Sequence, residues 1–140
     1  MKKEDKLILI NHRINKSHLT IDDAKFSLEN NKTSIALNRI YYSIFYIVSA
    51  LALIYDFSTS KHKQLLGWFN KNFIFTGILE NKLFKIYSLA FDKRQESDYE
   101  DFPEINIDAV QKYYEDALYF INKLESFINE KIKAIESNIL

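Results

Sequence analysis

Two charged residues four positions apart, Arg94 and Asp98, continue an apolar row of a predicted helix. Leu83, Tyr87 and Ala90 recur at the spacing of one helical face, and four further residues lead to Arg94. Charged side chains are rarely buried without a partner, because removing an unpaired charge from water is costly. The row is therefore consistent with a structural ion pair that closes the end of a bundle, or with a reactive site that holds a cation and a carboxylate.

The sequence Lys61-His62-Lys63 is the second group that could do chemistry. Short connections make neighbouring helices antiparallel, so the start of the third predicted helix is expected near the end of the fourth. This placement predicts a cluster of one imidazole, one guanidinium, one carboxylate, one phenol and two ammonium groups, from His62, Arg94, Asp98, Tyr99, Lys61 and Lys63. Such a cluster can bind phosphate and transfer protons. Considered alone, His62 is more often a solvated residue of a helix's first turn.

Two weaker patterns indicate no site. Arg13 and His18 lie five residues apart on the first predicted helix, so their side chains diverge by roughly 140° around its axis. The acidic run from Glu96 to Glu104 lies in a predicted loop without histidine or glycine, which is unlike a metal-binding loop. The chain also has no cysteine, which excludes disulfides and cysteine-based zinc sites, and we expect neither a bound metal nor a cofactor.

The composition limits the class of protein. The chain has 140 residues, of which 47% are apolar, as in a typical globular protein, and its length favours one domain, residues 1–140. Glycine occurs only at positions 67 and 77 and proline only at 103, which is too few turn residues for an all-β fold. Nineteen basic residues balance nineteen acidic ones, so contact with RNA would need a local basic patch rather than a general excess of positive charge.

Apolar periodicity predicts the helices that would position these groups. A row of helical spacing covers residues 7–28, and Asn30-Asn31 then favours a turn. The next helix is predicted over residues 33–57 and is apolar on nearly all sides from Ile40 onward. That pattern is expected of the central helix of a bundle or, less readily, of a membrane span. The first ten residues contain too short an apolar run for a secretory signal, so we expect a cytoplasmic protein.

Three further helices complete the predicted fold. A short helix follows the capping residues 58–60, and Gly77 ends the connection to a fourth helix that starts near Leu79. The acidic segment 96–107 is predicted as a loop. The last helix is predicted from Asp108, because aspartate is a favourable N-cap residue. The resulting fold class is all-α, an antiparallel four- to five-helix bundle.

Three segments resemble motifs of the HEPN-domain family, in particular of its small stand-alone prokaryotic members. Residues 36–53 are similar to the family's A-x-N-R-x-Y-Y-S/A-x-F helix and have the sequence ALNRIYYSIFYIVSALAL. Residues 60–79 resemble its K/T-H-K segment and have the sequence SKHKQLLGWFNKNFIFTGIL. Residues 94–99, RQESDY, resemble its R-x3-D-Y ending. The resemblance covers residues 21–127, most of the chain, with the motifs in the family's order and spacing.

The resemblance implies an antiparallel helical bundle that is usually a homodimer. Many members of the family are metal-independent ribonucleases that act through an R-x4-6-H motif, and many are toxins encoded beside a small nucleotidyltransferase antitoxin. In some systems that antitoxin adenylylates a tyrosine just after the motif's histidine. Arg94 matches the motif's arginine and Tyr99 matches the downstream tyrosine, but Asp98 stands where the histidine is expected.

Three functional interpretations follow for this chain. The first is a toxin or defence component that acts as an endoribonuclease, with Arg94, Lys61 and Lys63 on phosphate. His62 or Asp98 would then transfer protons. The second is a non-catalytic module that binds a nucleotide or a nucleotidyltransferase partner through the same cluster. The third is a helical scaffold in which Arg94 and Asp98 only stabilise the fold. An aspartate paired with Arg94 would be a poor base, because the pair keeps its pKa low, so His62 is the better candidate.

Overall fold

The computed structural model describes residues 1–99 and 106–137, with the backbone alone at 98 and 99. Within these ranges the chain forms five α-helices and no β-strand, and a short π-helical segment, Asn70–Ile74, continues directly from the third helix. The helices are α1 (Lys3–Glu29), α2 (Thr33–Ile54), α3 (His62–Phe69), α4 (Asn81–Tyr99) and α5 (Ile107–Ser137). This architecture confirms the predicted all-α bundle.

Helix α2 is the central element and contacts all four other helices. By length and composition it could cross a membrane, but 67% of its most apolar stretch is buried within the fold. Its fully buried side chains include Ile40, Tyr41, Ile44, Ile47 and Leu51, and burial of a large apolar side chain contributes roughly 1.5–3 kcal/mol. The burial favours a core helix over a membrane span, and the cytoplasmic location stays a prediction.

Helix α1 packs its predicted apolar row against α2 and α5. Six residues of that row are buried, namely Ile10, Ile14, Ser17, Ile21, Ala24 and Leu28. The one hydroxyl among them, on Ser17, donates to the carbonyl oxygen of Ser43 at 2.6 Å. A polar group therefore lies within the α1–α2 contact without the cost of an unsatisfied donor.

Arg13 and His18 point from α1 towards different helices. Arg13 donates to the carbonyl oxygen of Ser49 on α2 at 3.2 Å. His18 lies 2.7 Å from the carboxylate of Glu125 on α5. The two side chains form no joint site, as their five-residue spacing predicts.

Helix α4 is longer than the acidic composition of its end predicts. The sequence prediction places a loop from residue 96, whereas the helix continues to Tyr99. Lys93 and Glu96 form an ion pair at 3.1 Å, which supports the last turns because residues three apart are neighbours on a helix surface.

The start of α5 is capped by Asn106 rather than by Asp108. The side-chain oxygen of Asn106 accepts from the backbone N–H groups of Asp108 at 2.8 Å and of Ala109 at 3.4 Å. Asparagine and aspartate are comparable N-cap residues, so the sequence alone does not distinguish two candidates that are two positions apart.

The hydroxyl of Tyr87 is buried and has no hydrogen-bond partner among the described residues. Burial raises its pKa well above the ordinary value, so the phenol stays neutral. An unsatisfied buried hydroxyl costs about 1–3 kcal/mol. We therefore expect Tyr87→Phe to increase the free energy of unfolding by about 1 kcal/mol, with a rise in Tm of about 3 °C, as measured by urea and thermal unfolding.

The matched control for this prediction is Tyr41→Phe. It removes a hydroxyl that is hydrogen-bonded at 2.7 Å and should not stabilise the fold. A loss of stability in Tyr87→Phe would show that the hydroxyl of Tyr87 is satisfied in solution.

Candidate functional site

Arg94 and His62 lie against the same two tyrosine rings of α2, those of Tyr41 and Tyr42. The guanidinium carbon of Arg94 is 4.7 Å from the centroid of the Tyr41 ring and 5.9 Å from that of Tyr42. The centroid of the His62 ring is 5.6 Å from each of these tyrosine centroids. The end of α4 and the start of α3 therefore meet on α2, in the arrangement that antiparallel packing predicts.

The imidazole of His62 is held by a hydrogen bond and by stacking on the neighbouring rings of α2. Its Nδ1 lies 2.7 Å from the hydroxyl of Tyr41, and its ring stacks on Phe45 at 4.4 Å with the planes 16° apart. His62 is the first residue of α3, after a turn in which the backbone N–H of Lys61 donates to Oγ1 of Thr59 at 3.1 Å. His62 also lines an open cleft, so these contacts orient a ring that a ligand can reach.

Burial and charge set the protonation states of this pair. Burial lowers the pKa of His62 below its ordinary value of 6.5, and the positive charge of Arg94 lowers it further. Burial raises the pKa of the Tyr41 hydroxyl, an effect that Arg94 partly offsets. At neutral pH both groups are therefore uncharged, and the imidazole can accept a proton.

The neutral pair has two hydrogen-bonded forms, because a phenol can both donate and accept. When the Tyr41 hydroxyl donates to Nδ1, the Nε2 atom of His62 carries the proton. When Nδ1–H donates to the Tyr41 oxygen, Nε2 is an acceptor. The second form is the one that a general base at Nε2 requires, and the hydroxyl of Tyr41 is compatible with it.

The other predicted site residues fall into two groups. Lys61 and Lys63 flank His62 but are exposed, so the structure does not bring them into the ring cluster. The side chains of Asp98 and Tyr99 lie outside the described residues, although their backbone completes α4. Across residues 1–97 and 106–137, no three His, Cys, Asp or Glu side chains are grouped so that they could hold a metal ion.

The sequence prediction of the site missed four residues that belong to an apolar helix: Arg39, Tyr41, Tyr42 and Phe45. The guanidinium carbon of Arg39 lies 5.3 Å from the centroid of Tyr42, so this ring is within cation–π distance of two arginines. The sequence signal that could have identified two of these residues is the four-residue spacing of Tyr41 and Phe45, which places both rings on one helical face. All four residues also lie within the segment NRIYYSIF that carries the family resemblance.

Comparison with known protein families covers the two segments of the chain that hold Arg94 and His62. The model of the HEPN domain matches residues 10–135, nearly the whole chain. The chain belongs to the HEPN family. The resemblance seen in the three motifs is thereby confirmed, and the HEPN match includes α3 with His62 and α4 with Arg94.

Three relatives of this HEPN protein align over most of their length. A protein of Thermotoga maritima named "UPF0332 protein" is 38% identical over 114 residues, which are 81% of this chain and 86% of the relative. A protein of Methanocaldococcus jannaschii named "Putative toxin MJ0142" is 36% identical over 128 residues, 86% of this chain and 82% of the relative. A second protein of that archaeon, "Putative toxin MJ0605", is 27% identical over 107 residues, 76% of this chain and 79% of the relative.

In chemical terms the candidate site combines a permanent cation and a neutral base on one aromatic surface. Arg94 offers planar N–H donors whose geometry suits phosphate oxygens. His62 has a lowered pKa and can take a proton from a nearby hydroxyl at neutral pH. The pair is therefore suited to a phosphodiester that has a hydroxyl next to it.

Proposed function

We propose that this HEPN protein is a toxin that acts as a metal-independent endoribonuclease. The observation that carries the proposal is the joint contact of Arg94 and His62 with the rings of Tyr41 and Tyr42. RNA cleavage without a metal ion needs a base at the 2′-hydroxyl and a cation at the phosphate. The neutral imidazole and the guanidinium supply these two functions.

In the proposed reaction Nε2 of His62 removes the proton from the ribose 2′-hydroxyl. The 2′-oxygen then forms a bond to the adjacent phosphorus, and the bond from phosphorus to the 5′-oxygen of the next nucleotide breaks. The leaving 5′-oxygen takes a proton from water, and the hydroxide that remains takes the proton back from His62. The products end in a 2′,3′-cyclic phosphate and a 5′-hydroxyl. Arg94 stabilises the negative charge that develops on the phosphate oxygens.

The remaining residues have supporting roles in this proposal. Tyr41 is a positioning residue, because its hydroxyl holds Nδ1 of His62 at 2.7 Å. Lys61 and Lys63 are exposed beside His62, where their charges attract the phosphate backbone. Asp98 is a weaker choice of base than His62, because the ordinary pKa of an aspartate lies far below neutral pH.

The role as a toxin is supported by two archaeal relatives that have the word toxin in their names. A cell that makes a ribonuclease toxin must restrain it, and the proposed partner is a small nucleotidyltransferase that modifies Tyr99. The proposed assembly is a homodimer in which the sites of the two copies act on one RNA strand.

One observation favours a second candidate function, a non-catalytic module. Asp98 stands where the family's ribonuclease motif has histidine. In that case the same cation and imidazole bind a nucleotide or a nucleotidyltransferase partner and leave RNA intact. A direct cleavage assay separates the two candidates.

The assay incubates the purified protein with a mixed-sequence RNA in the presence of EDTA. We expect fragments that end in a 2′,3′-cyclic phosphate, because the base and the cation are both protein side chains. The control substrate has the same sequence with 2′-deoxy sugars, lacks the attacking hydroxyl and should stay intact. Intact RNA would favour the binding module, and equal cleavage of the deoxy substrate would contradict the proposed step.

A further inference from the structure

An open cleft of about 720 Å³ lies between α1, α2 and the segment that leads into α3. Its volume is in the range of sites that enclose small molecules. His62 and its stacking partner Phe45 form part of the cleft wall. Because His62 also contacts the rings on which Arg94 lies, the cleft and the candidate reaction site share this residue.

The α1 side of the cleft is basic. It contributes His12, Arg13 and Lys16, and no carboxylate occurs among the described residues that line the cleft. Positions 12 and 16 are one helical turn apart, with position 13 beside them, so the three side chains share one side of α1. Burial lowers the pKa of Arg13, but a guanidinium stays protonated in proteins. In a chain of zero formal net charge, this is the kind of local patch that a phosphate ligand requires.

Aromatic rings form the α2 side of the cleft. The ring centroids of Phe45 and Tyr46 are 5.8 Å apart, and Nζ of Lys16 lies 4.5 Å from the centroid of Tyr46. Tyr46 is half-buried, so part of its ring remains open to a ligand. Proteins that bind single-stranded nucleic acid combine cations along the backbone with rings that stack on bases, and this cleft has both.

We infer that the cleft binds the single-stranded RNA next to the scissile phosphate, an inference that rests on the proposed ribonuclease function. Arg13 and Lys16 contact the neighbouring phosphate, and Tyr46 stacks with a base. His12 lies at the exposed rim of the cleft, where its imidazole N–H can donate to a phosphate oxygen. The scissile phosphate then lies at the His62 end of the cleft, within reach of Arg94.

A binding assay with an uncleavable ligand tests this inference. A dye-labelled RNA of about eight nucleotides, with 2′-O-methyl groups throughout, lacks the attacking hydroxyl and measures binding alone by fluorescence anisotropy. We expect the wild-type protein to bind it and the double variant His12→Gln/Lys16→Gln to bind it roughly fivefold more weakly. The slope of log Kd against log salt concentration should also fall, by about 0.7 for each phosphate that the variant no longer neutralises.

Both substituted residues are exposed, so the fold should persist, and circular dichroism checks this. The matched control is Lys133→Gln, which removes an exposed lysine of α5 that is not part of the cleft and should bind as the wild type does. Equal binding by the double variant and the wild type, or no binding by the wild type, would overturn the inference. RNA cleavage in EDTA remains a separate result. Binding without cleavage removes the ribonuclease proposal and leaves the cleft as an RNA-binding surface, whereas cleavage without cleft binding removes only this inference.

Discussion

Arg94→Ala is expected to reduce the kcat/KM of RNA cleavage by about 100- to 1,000-fold. In the proposed reaction, the variant lacks the cation that stabilises charge on the phosphate oxygens as the 2′-oxygen attacks. The guanidinium lies 4.7 Å from the centroid of Tyr41, and the hydroxyl of the same ring holds His62. Removal of the guanidinium should therefore affect the phosphate group beside His62. Because this charge develops in the transition state, the effect should fall mainly on kcat rather than on KM.

Two further variants separate the loss of this cation from the loss of the fold. Arg94→Lys keeps the positive charge but loses the planar set of donors, and we expect intermediate activity. Lys93→Ala is the matched control, since Lys93 pairs with Glu96 on the surface and should have nearly wild-type activity. Full activity in Arg94→Ala would show that Arg94 is not part of the reaction site.

His62→Ala is expected to reduce cleavage by about 100- to 10,000-fold, the usual contribution of a general base. The matched control is His18→Ala, because His18 lies on α1 and contacts Glu125 of α5 rather than the ring cluster. That variant should cleave RNA at close to the wild-type rate. Wild-type activity in His62→Ala would assign the base to another group.

The same role predicts how activity depends on pH. The pKa of His62 is below 6.5 because of burial and Arg94, so cleavage should increase as pH rises through that pKa and reach a plateau near neutrality. The sign for stability is the same. The unfolded chain binds a proton at His62 more tightly than the folded chain does. The contribution of His62 to the free energy of unfolding is therefore complete above pH 6.5 and is lost as pH falls through the folded-state pKa. A rate that falls between acidic and neutral pH would contradict a neutral His62 base.

The helices could be predicted from the sequence because apolar spacing is a local property. The apolar row of α1 from Ile10 to Leu28 is buried, and most of the apolar residues of α2 are buried as well. The boundaries were less predictable, because they depend on single contacts. The end of α4 is accompanied by the ion pair of Lys93 with Glu96, and the start of α5 is capped by Asn106. Composition alone determines neither of these helix boundaries.

The meeting of Arg94 with His62 follows from helix order and could be anticipated, whereas its aromatic surroundings could not. Tyr41 is fully buried and still bonds to His62, so it belongs to the core and to the site at once. The four-residue spacing of Tyr41 and Phe45 places both rings on one helical face. In a helix that is apolar on all sides, this spacing does not show which face meets Arg94. The cleft beside His62 requires the packing of α1 on α2, which brings Lys16 to Tyr46, and no sequence spacing relates those two residues.

Titration of His62 by NMR, in the wild-type protein and in Arg94→Gln, tests most directly whether the two residues form one site. The His62→Ala spectrum identifies its resonance among the three histidines of the chain. We expect a pKa below 6.5 in the wild type and a higher pKa in Arg94→Gln, because removal of the neighbouring positive charge favours the imidazolium form. Identical pKa values in the two proteins, or a wild-type value at or above 6.5, would contradict a shared site.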